Sequence, residues 1–237
     1  VADCALGVSA ILDALAGRPL ASAESGWLEL LGSDARKNET AIAGQMDSDE
    51  QPINHYRLLR EIRDVIPRDV NVSVDAELTM GVARAVLPSY NPRSLLNSGT
   101  TGCMGTGVPY ALGAKLAMPE WPAVAVVGDY AFGAAAMEVE TSARVGAPVV
   151  FVISNNGGIA GHSIQDRMFA AGAPPIAALL PVDYERMGQM IGGFFARVTD
   201  PAEIRPVLEK ALAANTVAVI NVITDPAGGR RGGSYLG

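Results

Sequence analysis

From residue 52 onward the apolar positions keep two periods in turn. A spacing of three to four marks helices with one buried face, and short unbroken runs mark strands buried on both faces. Leu58, Leu59, Ile62 and Ile66 predict a helix that Pro67 stops, with a strand at 70–74 behind it. A helix through Met80, Val82 and Val86, a short buried strand at Leu95 and Leu96, and a helix over 106–118 come next. The series then runs strand 123–127, helix 133–145, strand 149–153, helix 184–191, strand 194–198, helix 201–214 and strand 217–223. Strand and helix in strict turn predict an α/β fold, a doubly wound parallel sheet with helices on both faces, because parallel strands need crossovers.

The opening stretch differs. Leu6, Val8, Ile11, Leu12 and Leu15 keep helical spacing up to Gly17 and Pro19, so 1–17 reads as the last helix of a domain whose remainder is missing. Residues 18–51 turn small and charged and read as a linker carrying short helix, and 52–237 reads as the main domain with a glycine-rich tail. The start at Val1, without an initiating Met, leads us to expect a fragment or a processed subunit.

The composition, 49% hydrophobic and 18% charged over 237 residues, fits a compact globular chain. A net charge of -7 and 5% aromatic residues argue against a nucleic-acid groove. Cys4 and Cys103 have no metal-type spacing and suit a reducing, cytoplasmic address. No apolar run reaches the roughly 20 residues of a bilayer crossing, so no membrane partner is expected.

Two predicted strands end in polar residues: one in Gly128-Asp129, the next in Ser154-Asn155-Asn156. Ligands of doubly wound sheets lie beyond such strand ends. A carboxylate and an amide oxygen are hard ligands suited to Mg²⁺, which takes further oxygens from water and phosphate. Gly157 and Gly158 let the backbone turn a carbonyl toward the same ion. A Gly-Asp pair alone is ordinary turn chemistry. The signal lies in the coupled pattern: 27 positions from Asp129 to Asn156, with Glu138 between them and Pro148 opening the second strand. Upstream, Gly99, Gly102, Gly105 and Gly107 surround Met104 in a loop that, taken alone, could cradle any phosphate. A dinucleotide fingerprint is absent, since the loop lacks Gly-x-Gly-x-x-Gly after a clear strand.

This constellation resembles the thiamine-diphosphate signature, conventionally Gly-Asp-Gly to Asn-Asn, with Tyr130 replacing the third-position glycine. The resemblance spans nearly the whole chain and is closest to the oxalyl-CoA decarboxylase and 2-hydroxyacyl-CoA lyase group. Pro52-Ile-Asn-His-Tyr56, Met137-Glu-Val-Glu-Thr141, Asn155-Asn-Gly-Gly-Ile159 and Ile220-Asn-Val-Ile-Thr-Asp-Pro-Ala227 carry it. It implies a thiamine-diphosphate-binding fold, with 52–237 as the diphosphate-binding domain. Thiamine diphosphate and Mg²⁺ are the implied cofactors, with Asp129 and Asn156 as side-chain metal ligands and Gly158 as a carbonyl ligand. Gly128, Ala131 and Phe132 would lie beside the diphosphate, as would Glu77 and Thr79, where helix capping by Asp75 is the plain alternative. Met104 would wedge between the cofactor rings, and the backbone near Gly102 would accept from the aminopyrimidine.

The same resemblance implies an acyl-CoA substrate, a homodimer or homotetramer, and an amino-terminal part of the same enzyme that holds the glutamate facing the aminopyrimidine. The reaction implied is cleavage of a 2-hydroxyacyl-CoA to formyl-CoA and an aldehyde or ketone. Oxalyl-CoA decarboxylation and a non-catalytic subunit are the alternatives. The lyase is favoured because the loop from Ile159 to Gln165 lacks the tyrosines that the decarboxylases tend to place there. Gln165, which can orient only by hydrogen bonding, and His162, which titrates near neutrality, are the catalytic candidates, with exposed loop residues as the plain alternative. Arg230 and Arg231 suit CoA phosphates, against a frayed terminus. His55 is expected to be structural, in a helix away from the loops.

Overall fold

The structure is a computed structural model that describes residues 3–18, 26–159 and 174–227. Residues divide into two compact units, Val1–Ala41 and Ile42–Gly237. In the first lies α1 (Cys4–Leu15), whose amino end is capped by the Asp3 carboxylate accepting from the Ala5 and Leu6 amides at 2.9 and 3.1 Å. Its apolar residues Leu6, Val8, Ile11, Leu12 and Leu15 are all exposed. The expected linker contains α2 (Trp27–Met46), a 20-residue helix rather than a short one. Ala, Leu, Glu, Lys and Gln give it strong helix propensity without a continuous apolar stripe, so periodicity could not reveal its length.

The second unit carries six parallel strands: β1 (Asn71–Asp75), β2 (Leu95–Leu96), β3 (Ala123–Gly128), β4 (Val150–Asn155), β5 (Phe194–Val198) and β6 (Ala218–Ile223). Their order in the sheet is β2-β1-β3-β4-β6-β5, with every pairing parallel. Helices α3 (His55–Val65), α4 (Glu77–Val86) and α9 (Ile204–Ala213) cover one face, meeting Val72, Val74, Val124, Val126, Val152 and Ile220. On the other face α5 (Gly107–Ala117), α6 (Asp129–Ala135), α7 (Glu138–Arg144) and α8 (Arg186–Met190) meet Ala125, Val127, Phe151, Ile153 and Val219. Odd and even residues of one strand thus serve different cores, which fixes register. This is the doubly wound parallel sheet that the alternation predicts.

Two local expectations change. Leu95 and Leu96 are half-buried, because β2 is the sheet's edge and only one neighbour covers it. The helix expected at 133–145 is two helices, and the first begins at Asp129, directly off the strand. The alanine run gives no periodic cue to either the early start or the break.

From β1 the chain crosses to β2 at the edge and then returns past β1 to β3. That reversal opens a crevice at the carboxyl ends of β1 and β3, where ligands bind in sheets of this kind. Among the described residues no helix is long and apolar enough to cross a membrane.

Candidate active site

A cavity of about 330 Å³ fills that crevice. Its wall draws on five places in the sequence: His55 at the start of α3, Asp75 to Met80 at the end of β1, Gly102 and Met104 from the glycine-rich loop, Gly128 to Tyr130 at the end of β3, and Ser154, Asn156, Gly158 and Ile159 at the end of β4. The backbone hydrogen bonds that end β3 and β4 place these tips side by side, since Gly128 pairs with Ser154.

Asp129 is buried, 1% exposed, and each of its carboxylate oxygens accepts a backbone amide. Oδ1 takes Tyr130 N–H and Oδ2 takes Gly157 N–H, both at 2.7 Å. The second bond ties the two strand tips together directly. Burial and the negative charge of Asp129 push the Tyr184 hydroxyl above its usual range, which places a carboxylate field at this end of the sheet. Asn156 is 7% exposed and borders the cavity, and its amide makes no hydrogen bond among the described residues.

Gly158 has φ +145, and a Cβ there would strike the Ala177 carbonyl, so no other residue fits. It bridges Ala178 in antiparallel fashion through Ile159 N–H to Ala177 O and Leu179 N–H to Gly157 O, both at 2.9 Å. In such a bridge the central residue's own carbonyl points away from its partner strand.

Among the described residues no three of His, Cys, Asp and Glu cluster as a metal centre. One carboxylate, one amide and one carbonyl form a hard-oxygen set that an ion such as Mg²⁺ would complete from phosphate and water. An anion would also meet the amino end of α4, whose first turn lines the cavity. The residues present therefore fit a metal-bound diphosphate.

The glycine-rich loop is pinned from below. Asp75 accepts Gly107 N–H at 2.8 Å through Oδ2, and Ser73 Oγ donates to Gly107 O at 2.6 Å. A Cβ on Gly107 would lie 2.6 Å from Asp75 Cβ and 2.7 Å from Val127 Cγ1, so glycine is required for α5 to sit this close to the sheet. Asp75 consequently does not cap α4. The position before that helix is Ala76, which has φ +80 and no side-chain cap bond.

Most of the predicted positions converge. Glu77, Thr79, Gly102, Met104, Gly128, Asp129, Asn156 and Gly158 all line the one cavity. Glu77 is exposed, and what it offers an anion is its amide at the start of α4 rather than its carboxylate. Ala131 and Phe132 are fully buried behind the lining, and Phe132 packs edge-on against Tyr184 at 5.7 Å. Gln165, His162, Arg230 and Arg231 lie outside the described residues. His55 is corrected: it lines the cavity from beneath, reached through Ser154. Ala76 is a further lining residue that the sequence did not single out, and Tyr130, at the third position of the signature, also lines the cavity.

Fold and site together define a doubly wound domain that offers hard oxygen ligands and helix amides to a phosphate-bearing cofactor. Residues 77–222 match the family described as thiamine pyrophosphate enzyme, C-terminal TPP binding domain, and the chain belongs to that family. It is 38% identical over 217 residues to a 2-hydroxyacyl-CoA lyase of Oryza sativa subsp. japonica, covering 87% of this chain and 37% of that protein. It is 35% identical over 210 residues to an oxalyl-CoA decarboxylase of Escherichia coli, with the same 87% and 37% coverage. An acetolactate synthase large subunit of Mycobacterium tuberculosis is 36% identical over 223 residues, 93% of this chain and 40% of that protein. The chain thus spans about two fifths of the length of the curated relatives it matches. A Rhodococcus jostii thiamine diphosphate-dependent 4-hydroxybenzoylformate decarboxylase shares the fold, with TM-score 0.66 and 22% identity over 75% of this chain and 34% of that one.

Proposed function

We propose that this chain is the diphosphate-binding part of a thiamine-diphosphate-dependent carbon–carbon lyase that cleaves a 2-hydroxyacyl-CoA to formyl-CoA and an aldehyde or ketone. The observation that carries the cofactor half is the meeting of buried Asp129 with the Asn156 tip across a 2.7 Å bond at the switch-point cavity. Asp129, Asn156 and the Gly158 carbonyl hold Mg²⁺, and the Glu77 and Thr79 end of α4 meets the diphosphate. Met104, 44% exposed in the cavity lining, would pack against the rings of the cofactor. Thiamine diphosphate supplies the electron sink for cleavage next to the carbonyl. The chain's own residues bind and orient it, and the apolar floor behind Asp129 excludes water.

Residues 52–237 form the diphosphate-binding domain on this reading. An amino-terminal part of the same enzyme supplies the remaining wall and the glutamate, within a homodimer or homotetramer. Gln165 and His162 stand on the loop after Asn156 as orienting and proton-carrying groups, and Arg230 and Arg231 serve CoA phosphates. The lyase assignment rests on the loop leading to Gln165. Oxalyl-CoA decarboxylation is the second reading, favoured by a relative of nearly equal identity.

Two measurements test the proposal. Asp129→Ala removes the central ligand, and Mg²⁺-dependent thiamine-diphosphate retention by equilibrium dialysis is expected to fall about 100-fold, roughly 2.7 kcal/mol, with unchanged circular dichroism. Retention equal to that of the native chain refutes the metal assignment. For the reaction, the enzyme with its amino-terminal part is given 2-hydroxyisobutyryl-CoA, mandelyl-CoA, oxalyl-CoA and pyruvate. Formyl-CoA with acetone or benzaldehyde supports the lyase, formyl-CoA with CO₂ supports the decarboxylase, and acetolactate overturns both.

A further inference from the structure

His55 belongs to the packing layer by its position, on α3 ahead of the first strand, yet it is 1% exposed and both ring nitrogens are engaged. Nε2 lies 3.1 Å from the Asp225 carbonyl oxygen, and Nδ1 lies 2.9 Å from Ser154 Oγ. A carbonyl oxygen only accepts, so Nε2 carries the ring proton and Nδ1 is bare. The Ser154 hydroxyl must therefore donate to Nδ1. Its proton being committed there, Thr224 Oγ1 at 3.3 Å donates to the Ser154 oxygen. Every hydrogen in this buried chain has one assignable direction, and the chain ends two residues before Asn156.

The next residue is held from the opposite face. Asn155 Nδ2 donates to Asn221 Oδ1 at 3.0 Å, and Asn221 Nδ2 donates to Glu185 Oε2 at 2.7 Å. Consecutive residues pinned into the two layers on either side of the sheet prevent the end of β4 from twisting about its axis. Such a twist would swing the Asn156 amide away from Asp129. An apolar side chain would fill the His55 site but take away the acceptor at Nδ1, leaving Ser154 only its longer contact to Thr224.

We propose that His55 is a positioning residue that fixes the turn at 155–158 for cofactor binding, acting through the hydroxyl of Ser154. The inference rests on Asn156 being a metal ligand, and the test keeps the two apart. His55→Leu keeps the apolar volume and removes both polar contacts. His55→Gln restores them, since an amide carries a donor and an acceptor at nearly the separation of the ring nitrogens.

Two readouts are taken on the full chain: amide hydrogen exchange at Gly157 without ligand, and Mn²⁺–thiamine-diphosphate affinity by electron paramagnetic resonance. The Leu variant is expected to exchange about tenfold faster and bind about tenfold more weakly, 1.4 kcal/mol, with the Gln variant within a few-fold of the native chain. A space-filling role predicts instead that Leu matches the native chain or that Gln is no better than Leu, and either result overturns the proposal. Should the Leu variant not fold, Ser154→Ala removes the hydroxyl with His55 in place, and native Gly157 protection in that variant also overturns it. If only the metal assignment is wrong, Asn156→Ala binds normally while Gly157 exchange still separates Leu from Gln.

Discussion

The two ends of the same parallel strands obey different rules. In their middles and at their amino ends, β3 and β4 present Ala123, Val124, Val126, Val150, Phe151 and Val152, all buried in one apolar core or the other. At the carboxyl ends of β1, β3, β4 and β6 the buried residues are Asp75, Asp129, Ser154, Asn156 and Thr224, and here Ala76 and Gly158 take positive φ. The body of the sheet is mainly apolar and rests on volume and alternation, with Asn71, Ser73 and Asn221 as its buried polar residues. The carboxyl ends bury polar groups because bonds between distant segments hold them, which sets ligands rigidly beside open space. Stability and function are thus separable by position along one strand.

The sharpest way to break that separation is Phe151→Ala in the middle of β4. A fully buried phenylalanine is removed, so unfolding in urea is expected to show a loss of about 3–5 kcal/mol. Thiamine-diphosphate affinity of the folded fraction is expected to stay native, the reverse of Asp129→Ala. If affinity fell with stability, the two ends would not be independent.

A smaller effect comes from pH. Burial pushes His55 below its ordinary 6.5, against the opposing pull of the Asp225 carbonyl and carboxylate. The unfolded ring takes up a proton at a pH where the folded one stays neutral, so this contribution to stability is whole above pH 6.5 and is lost as pH falls through the folded-state value. Thermal melts taken from about pH 8 to about pH 5 are expected to show this fall. His55→Gln has no such group and removes that part of the slope, while an unchanged slope would place the titration elsewhere.

The smallest effect is expected at Ala76. A Cβ at φ +80 is strained, and relief by Ala76→Gly is partly offset by the freer unfolded chain. The net gain in melting experiments is expected to be below about 1 kcal/mol. A loss would show that the Ala76 side chain supports the cavity wall, where its Cβ faces Gly128.

What could be read ahead from the sequence follows the same division. The strands were visible because unbroken valine runs bounded by Pro122, Pro148 and Gly128 have one structural meaning. Asp129, Asn156 and Gly158 were visible because strand-end polar residues at a fixed spacing are local in the chain. His55 was not, since its partners Ser154 and Asp225 lie 99 and 170 residues away and meet it only because β4 pairs with β6. Ala76 was invisible for another reason: alanine carries no signal for positive φ. The burial of Ala131 and Phe132 was not visible, because it follows from a helix that starts at Asp129 and turns its third and fourth residues inward.

The pairing of Gly128 with Ser154 has a consequence for assembly. Sliding β4 by a single residue against β3 would aim Ser154 at Glu185 and Asn155 at His55, and would carry Asn156 to the wrong side of the sheet. A chain closed in that frame would lose the meeting of Asp129 with the Gly157 amide. Any ligand that binds only the aligned tips would therefore favour the native frame by mass action.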